Sequence, residues 1–501
     1  MKIYKKIINI LGLMSIGAIT LAACGSNNSN NQARIEALTK AVQEDSTAIT
    51  ELKTRLAGYS TDDMEIIANK QEIAEQSRDF IKVFNDTFGT KLAFTQVGGA
   101  TDYGQFLSTK LVNGVGNVLM IGGGSVDGFA QTISRFTSAS AAEMLHNDDT
   151  TAGQFLVNGK AFLPAAVESI GVIYNRDTFA KAKITVFEGQ SFENATTKPA
   201  DLVKPTTDYN GTIVKDGNTY VFTSDLTEPG YRLITKTLTD AKIDPFYVTS
   251  KTQREQIWPM TNHLLGAAVN AQTGLTANDE VKLRSEPNAI LTNEVINSMK
   301  TALDIYGHDA AWNLRTNTVD NAMNFVALGR YAMSQNGTWA TPQITRANPD
   351  ANVGFLPMPI FNKTDKTAML YRSVSQRWGL TTLAEDAAKK KTAQLFLQFL
   401  YQTKSGLEYA GNEMQLYSPF KAVPGVNLDF KDNLSASSQR YQGADLGETV
   451  DNYFVTGFGN TDEVVIQVTN EGYKMADSQS RLITEFNRLI EARKNTTATT
   501  K

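Results

Sequence analysis

Apolar residues recur along this chain with two different periods, and the change from one to the other marks its organisation. Between residues 33 and 57, Ile35, Leu38, Val42, Ile49, Leu52 and Leu56 fall on the a and d positions of a heptad, with Asp45 interrupting one d position. That spacing predicts helix, and it fits two arrangements equally well. One is a stalk that lifts the body and self-associates; the other is an amphipathic helix packed on its own body. From Met64 the pattern becomes α/β. MEIIANK reads as a short strand, EIAEQSRDFIKVFNDTFG as an amphipathic helix closed by Gly89, and KLAFTQV as a second strand. YGQFLSTKLVNG then reads as helix, NVLMIGG as a buried strand and VDGFAQTISRF as helix. Alternation in units of this length predicts parallel pairing through crossover helices.

Further along, GKAFLPAAVESIGVIYNRDTFAKAKI gives extended segments and then a helix start at Asn175-Arg176-Asp177. Residues 185–230 are the least regular, punctuated by Lys198-Pro199 and Lys204-Pro205, and GTIVKDGNTYVFT reads as a hairpin turning at Asp216-Gly217. Residues 231–345 are mostly helical in pattern. NVGFLPMP and RSVSQRWGL are strand-like, EDAAKKKTAQLFLQFLYQ is amphipathic helix, and SRLITEFNRLIEARK is a final helix. One stretch within this series, GRYAMSQNGTW, ends Asn-Gly-Thr-Trp and so places Trp339 after a tight, glycine-containing turn.

Length and charge narrow the class. At 501 residues the chain is too long for one ordinary core, so two lobes or more are expected. A formal charge of −4 without a basic stripe argues against nucleic acid as the partner. The N-terminus starts with a basic segment, MKIYKKIIN, followed by ILGLMSIGAITLAA, an apolar run short for a spanning helix. It leads to Leu21-Ala22-Ala23-Cys24-Gly25, and Cys24 is the sole cysteine. This resembles the lipobox of bacterial lipoproteins, which implies cleavage after residue 23 and diacylation of Cys24. Two acyl chains anchor a protein to a membrane stably. A lone cysteine also excludes a disulfide framework.

Catalytic signatures are missing from the sequence. His146, His263 and His308 are far apart and lack metal-ligand spacing, and no HExxH, GxSxG or P-loop occurs. Ile121-Gly122-Gly123-Gly124-Ser125 follows a strand and precedes a helix but lacks the lysine of a nucleotide loop. Its position suits close backbone approach at a strand's carboxyl end, where open α/β sheets put ligands. No metal, no cofactor and no enzymatic activity are expected.

Three segments in order, AAVESIGVIYNRDTFAKAKI (165–184), FVALGRYAMSQNGTWATPQI (325–344) and YRSVSQRWGL…KTAQLFLQFL (371–400), resemble bacterial extracellular solute-binding proteins of the maltodextrin-binding type. These are the receptor subunits of ABC importers. The likeness runs from about residue 64 to 420 and implies a two-lobed, periplasmic-binding-protein-like α/β fold. Each lobe would be a sheet flanked by helices, with a hinge and a ligand cleft between them. The implied order is a signal peptide (1–23), a polar tether (24–32), a heptad stalk (33–58) and the first lobe (59–160). The second lobe (161–352), a return through the hinge to the first lobe (353–420) and a C-terminal helical segment mainly on the second lobe (421–501) follow.

Carried over by position, the resemblance implies that Glu168 hydrogen-bonds sugar hydroxyls and Trp339 stacks on a sugar ring. Pyranose C–H faces pack on aromatic rings while hydroxyls need fixed polar groups. For Glu168 an internal salt bridge or hinge role is the alternative. Asn69-Lys70 stands where the family has Asp-Lys, Asp127 is the polar candidate after the third strand, and Glu255, before Trp258, replaces a sugar-facing tyrosine. Trp258, Trp378 and Tyr174 read as packing residues at least as well as ligand contacts. The implied function is a lipid-anchored receptor, at the outer face of the cytoplasmic membrane, that delivers a sugar-like solute to an ABC permease. The alternative is a surface interaction lipoprotein that kept the fold without transport.

Overall fold

The protein's structure, a computed structural model, describes residues 27–97, 103–113, 118–122, 133–150, 155–157, 160–249, 263–276, 286–307, 317–374, 376–430, 433–441 and 445–448, with Pro259 and five positions between 480 and 488. Cys24, Asp127, Glu255 and Trp258 lie outside the described residues, as do His308 and most of the C-terminal segment.

Two sheets organise the chain. In the first, β1 (Asp63–Ala68) pairs in parallel with β2 (Lys91–Gln96) and β3 (Val118–Gly122), as the alternating pattern predicts. The order continues through β15 (Gln376–Thr381) to β6 (Lys160–Pro164) and β5 (Phe155–Val157), with β4 (Phe136–Thr137) also on β15. Helix α3 (Ala74–Phe88) ends where Gly89 takes φ 70°, the left-handed conformation that favours glycine. It packs with the helix Ala387–Gln402 through Phe80, Phe84, Phe88, Phe396 and Phe399, whose ring centroids lie 5.0–5.9 Å apart.

The second sheet is built on β7 (Val167–Asn175), which lies between β11 (Met333–Gly337) and β14 (Ala368–Val374), both antiparallel to it. β12 (Val353–Leu356) also pairs with β7, while β13 (Met358–Phe361) and β16 (Leu446–Glu448) pair with β14. Residues 353–374, expected on the way back to the first lobe, therefore complete the second sheet. The return comes only between Val374 and Gln376. Their continuous apolar runs (VGFL, MPIF, AMLY) suit burial on both faces but carry no mark of which sheet they join. A small third sheet joins β8 (Ile184–Phe187), β10 (Asn218–Phe222) and β9 (Thr212–Lys215). Its hairpin turns at Asp216 and Gly217, with φ 50° and 72°.

The chain passes between lobes at residues 164–167, at 374–376 and beside Tyr417, whose carbonyl accepts a hydrogen bond from the Val167 amide at 2.9 Å. Ala165 and Ala166 are fully buried there. Trp378 donates to the Tyr401 hydroxyl at 2.6 Å, and that hydroxyl donates to the Ala165 carbonyl at 2.6 Å. Trp378 is thus a core residue of the first lobe. The buried apolar side chains of Tyr103, Leu107, Phe136 and Phe162 in the first lobe continue into those of the second as one cluster, so the lobes are in contact.

The heptad segment forms two helices, α1 (Asn27–Glu44) and α2 (Ser46–Arg55), folded against the first lobe. Leu38, Val42, Ile49, Leu52 and Leu56 are all buried in that lobe's core. The helix breaks at Asp45, whose Oδ2 accepts from the Ser405 amide and hydroxyl, each at 3.0 Å, in the first turn of the helix Lys404–Asn412. Arg34 fastens α1 to Asp79 of α3 at 2.7 Å. The stalk reading is therefore corrected: the apolar face that self-association would use is occupied within the chain. We expect Leu52→Ala to cost about 2–5 kcal/mol in denaturant unfolding, the value for a buried leucine, whereas a free stalk would lose nothing from the body.

In the second lobe Glu188 is a buried junction. Its carboxylate accepts from the Tyr174 hydroxyl (2.6 Å), Arg176 Nε and Nη2 (2.9 and 3.0 Å), Ser437 Oγ (2.7 Å) and Arg440 Nη1 (2.8 Å). It thereby ties the helix start after β7 to the C-terminal residues 437–440. Among the described residues, no helix is long and apolar enough to cross a membrane.

Candidate functional site

The carboxyl ends of β1, β2 and β3 and the start of β15 share one edge of the first sheet, because Ala68 pairs with Gln96 and Gln376 pairs with Gly122. Lys70 leaves β1 at this edge and enters a 3₁₀ turn, Gln71–Ile73. That turn packs against the second-lobe helix Thr341–Ala347. Lys70 and the second lobe's Glu168 and Trp339 meet here, brought together from positions far apart in sequence.

Lys70 Nζ lies 2.8 Å from Glu168 Oε1 and 3.1 Å from Glu72 Oε1, and 5.9 Å from the centroid of the Trp339 ring. The lysine and Glu168 side chains are 4% and 1% exposed, so the pair is shielded from solvent. Burial alone would push the ammonium's pKa down. The Glu168 and Glu72 carboxylates outweigh that and hold it above the ordinary lysine value, so Lys70 stays charged. Glu168 thus takes the salt-bridge arrangement weighed for it from sequence, and it does so across the lobe boundary.

Trp339 sits in the 3₁₀ turn Thr338–Ala340 that follows β11, half-buried. The His263 ring meets it edge-on at 5.4 Å, and desolvation pushes that histidine down to about 3, so the imidazole is neutral at physiological pH. The Asn-Gly step before Trp339 now has a physical reason. Gly337 has an extended backbone, φ −132°, which any residue adopts. A Cβ there, however, would lie 2.0 Å from Trp339 Cζ3 and 2.3 Å from Cη2. The indole packs against the strand end only because position 337 has no side chain. We expect Gly337→Ala to displace the indole, changing the near-ultraviolet circular dichroism of the folded protein with little change in melting temperature. An unaltered spectrum would show that the indole's seat does not depend on glycine.

Beside Asn69, sequence reasoning missed two further groups at this end of the first sheet, Gln96 and Gln376. Asn69 Oδ1, Gln96 Oε1 and Gln376 Oε1 are buried and accept no hydrogen bond among the described residues. Buried acceptors of this kind cost free energy until a donor reaches them. Of the three, Asn69 had been singled out, by position; Gln96 and Gln376 carry no local signal beyond ending or starting a strand. Among the described residues no group of three His, Cys, Asp or Glu side chains is placed to hold a metal. An aromatic face, a carboxylate, an ammonium and amide oxygens together suit noncovalent binding of a polar solute.

The fold is shared with solved solute-binding proteins. The RafE protein of Streptococcus pneumoniae, in complex with raffinose, matches with a TM-score of 0.59 and 17% identity over 87% of this chain and 100% of its own. A chitin oligosaccharide binding protein matches at 0.60 with 14% identity, over 86% of this chain and 99% of its own. A family 1 extracellular solute-binding protein from Bifidobacterium longum subsp. infantis matches at 0.51 with 15% identity, over 86% and 100%. No family model matches the sequence, and a search of curated proteins returns no match. This chain shares the mixed α/β fold of these solute-binding proteins.

Proposed function

We propose that the protein is a receptor, not an enzyme, that captures a sugar or sugar-like solute between its lobes and delivers it to an ABC-type permease. Diacylated Cys24 holds it at the outer face of the cytoplasmic membrane. The observation that carries this reading is the meeting of Lys70, Glu168 and Trp339 across the lobe boundary, where an indole face lies beside charged hydrogen-bonding groups. Buried amide oxygens at Asn69, Gln96 and Gln376 suit hydroxyl donors. Raffinose and chitin oligosaccharide binding by proteins of the same fold supports the choice of solute. Asp127, Glu255 and Trp258 are retained as candidate contacts on their sequence positions. A ligand that touches both lobes favours the closed arrangement by its differential affinity.

Thermal melting with a panel of oligosaccharides tests this. A ligand at about a hundred times its Kd adds roughly 2.7 kcal/mol to stability, an easily read upward shift. A flat panel, together with no small molecule carried by the purified protein in native mass spectrometry, would sink the reading. One observation favours the second reading, a surface interaction lipoprotein. Lys70 and the apolar cluster common to both lobes already fill part of their boundary. A flat panel is the result that reading expects.

A further inference from the structure

Lys70 shows by example what the second lobe's half of the site binds. Its ammonium is held by the Glu168 carboxylate at 2.8 Å and stands over the Trp339 ring at 5.9 Å. A carboxylate beside an aromatic face is the recognition set for an organic cation. Lys70 belongs to the first lobe, as does Glu72, two residues away and 3.1 Å from the same ammonium. When the lobes part, Lys70 and Glu72 move together as a pair, while Glu168 and Trp339 remain on the other side.

A solute seated between the lobes must therefore separate Lys70 from Glu168. If the solute is neutral, Glu168 loses the cation it pairs with inside a site where its side chain is only 1% exposed. Leaving a buried charge without its counter-ion is strongly unfavourable. If the solute carries an ammonium, the separation costs no pairing: Lys70 keeps Glu72 and the solute takes Glu168. The three-group cluster has two carboxylates against one ammonium, so one added cation balances it and an added anion worsens the imbalance.

We infer that the solute is an amino sugar with an ionised amino group, which takes the place of Lys70 Nζ on Glu168 while its ring packs on Trp339. This deepens the receptor reading and rests on it. The test is titration calorimetry of amino sugars and their oligomers, each paired with its N-acetyl counterpart of the same stereochemistry. At about pH 6 the free amines are ionised and the N-acetyl forms are neutral. The expected result is binding of the free amine at least about tenfold tighter than its N-acetyl partner. Glu168→Gln should abolish that preference, and Lys70→Met, which removes the internal competitor, should increase it. Equal or tighter binding of N-acetyl or other neutral sugars would overturn the inference while leaving the receptor reading intact. Binding of no sugar of either kind would overturn both.

Discussion

Lys70→Met should open the protein. The substitution keeps the length and apolar stem of the side chain but leaves Glu168, a buried carboxylate, facing no ammonium. Removing one partner of a buried ion pair costs about 3–5 kcal/mol when the other stays buried. Here the lobes can part and let water reach Glu168, so most of that cost should appear as opening rather than unfolding. Small-angle scattering without added sugar should show a larger radius of gyration for the variant than for the wild type. The melting temperature should fall by only a few degrees. Adding Glu168→Gln to Lys70→Met should restore the compact form, because the pair is then neutral on both sides. An unchanged scattering profile in the single variant would mean that the ion pair does not hold the lobes together.

Glu188→Ala should produce the larger loss of stability. Four residues donate five hydrogen bonds to this carboxylate, three of them from the guanidinium groups of Arg176 and Arg440. Its side chain is 1% exposed, so the alanine variant leaves the Tyr174 hydroxyl without its acceptor in the interior and Arg176 without its counter-ion, with only Asn352 and the Val353 carbonyl to accept from it. The expected cost is about 3–5 kcal/mol. For a lobe of this size each kcal/mol lowers the melting temperature by about 2–4 °C, so calorimetry should record a fall on the order of ten degrees. Residues 437–440 should also become sensitive to protease, since Ser437 and Arg440 lose one tie to the body. A fall of only a degree or two would show that the surrounding packing, not the carboxylate, sets the stability of this lobe.

The sequence showed its secondary structure well because local rules decide it. Gly89 ends α3 in the left-handed conformation, Asp216-Gly217 turns a hairpin, and the strand-helix alternation after Met64 produces parallel pairing. It was ambiguous where the deciding partner is remote. The heptad of residues 33–57 specifies an apolar face but not what covers it, and the cover is the helices of the first lobe. Asp45 looked like a flaw in that heptad; it is the joint between two helices and reaches Ser405, 360 residues on. The strands of residues 353–374 have the right period but no mark of which sheet they join.

The site follows the same division. Lys70, Glu168 and Trp339 were each found by their place in a motif. That they touch follows from the crossing of the chain between lobes, which no local spacing encodes. The role of Gly337 needed the indole's position to be known, and Gln96 and Gln376 needed the sheet order. Glu188 sits in an irregular stretch of the sequence, and its partners come from two remote segments, residues 174–176 and 437–440.

A solute held between the lobes on Trp339 and Glu168 draws its affinity from both side chains. Titration calorimetry of wild type, Trp339→Ala and Glu168→Ala, using the sugar with the largest thermal shift, tests it most directly. Each variant, still folded by circular dichroism, should lose at least about a hundredfold in affinity, roughly 2.7 kcal/mol. Folded variants that bind that sugar as tightly as the wild type would contradict it.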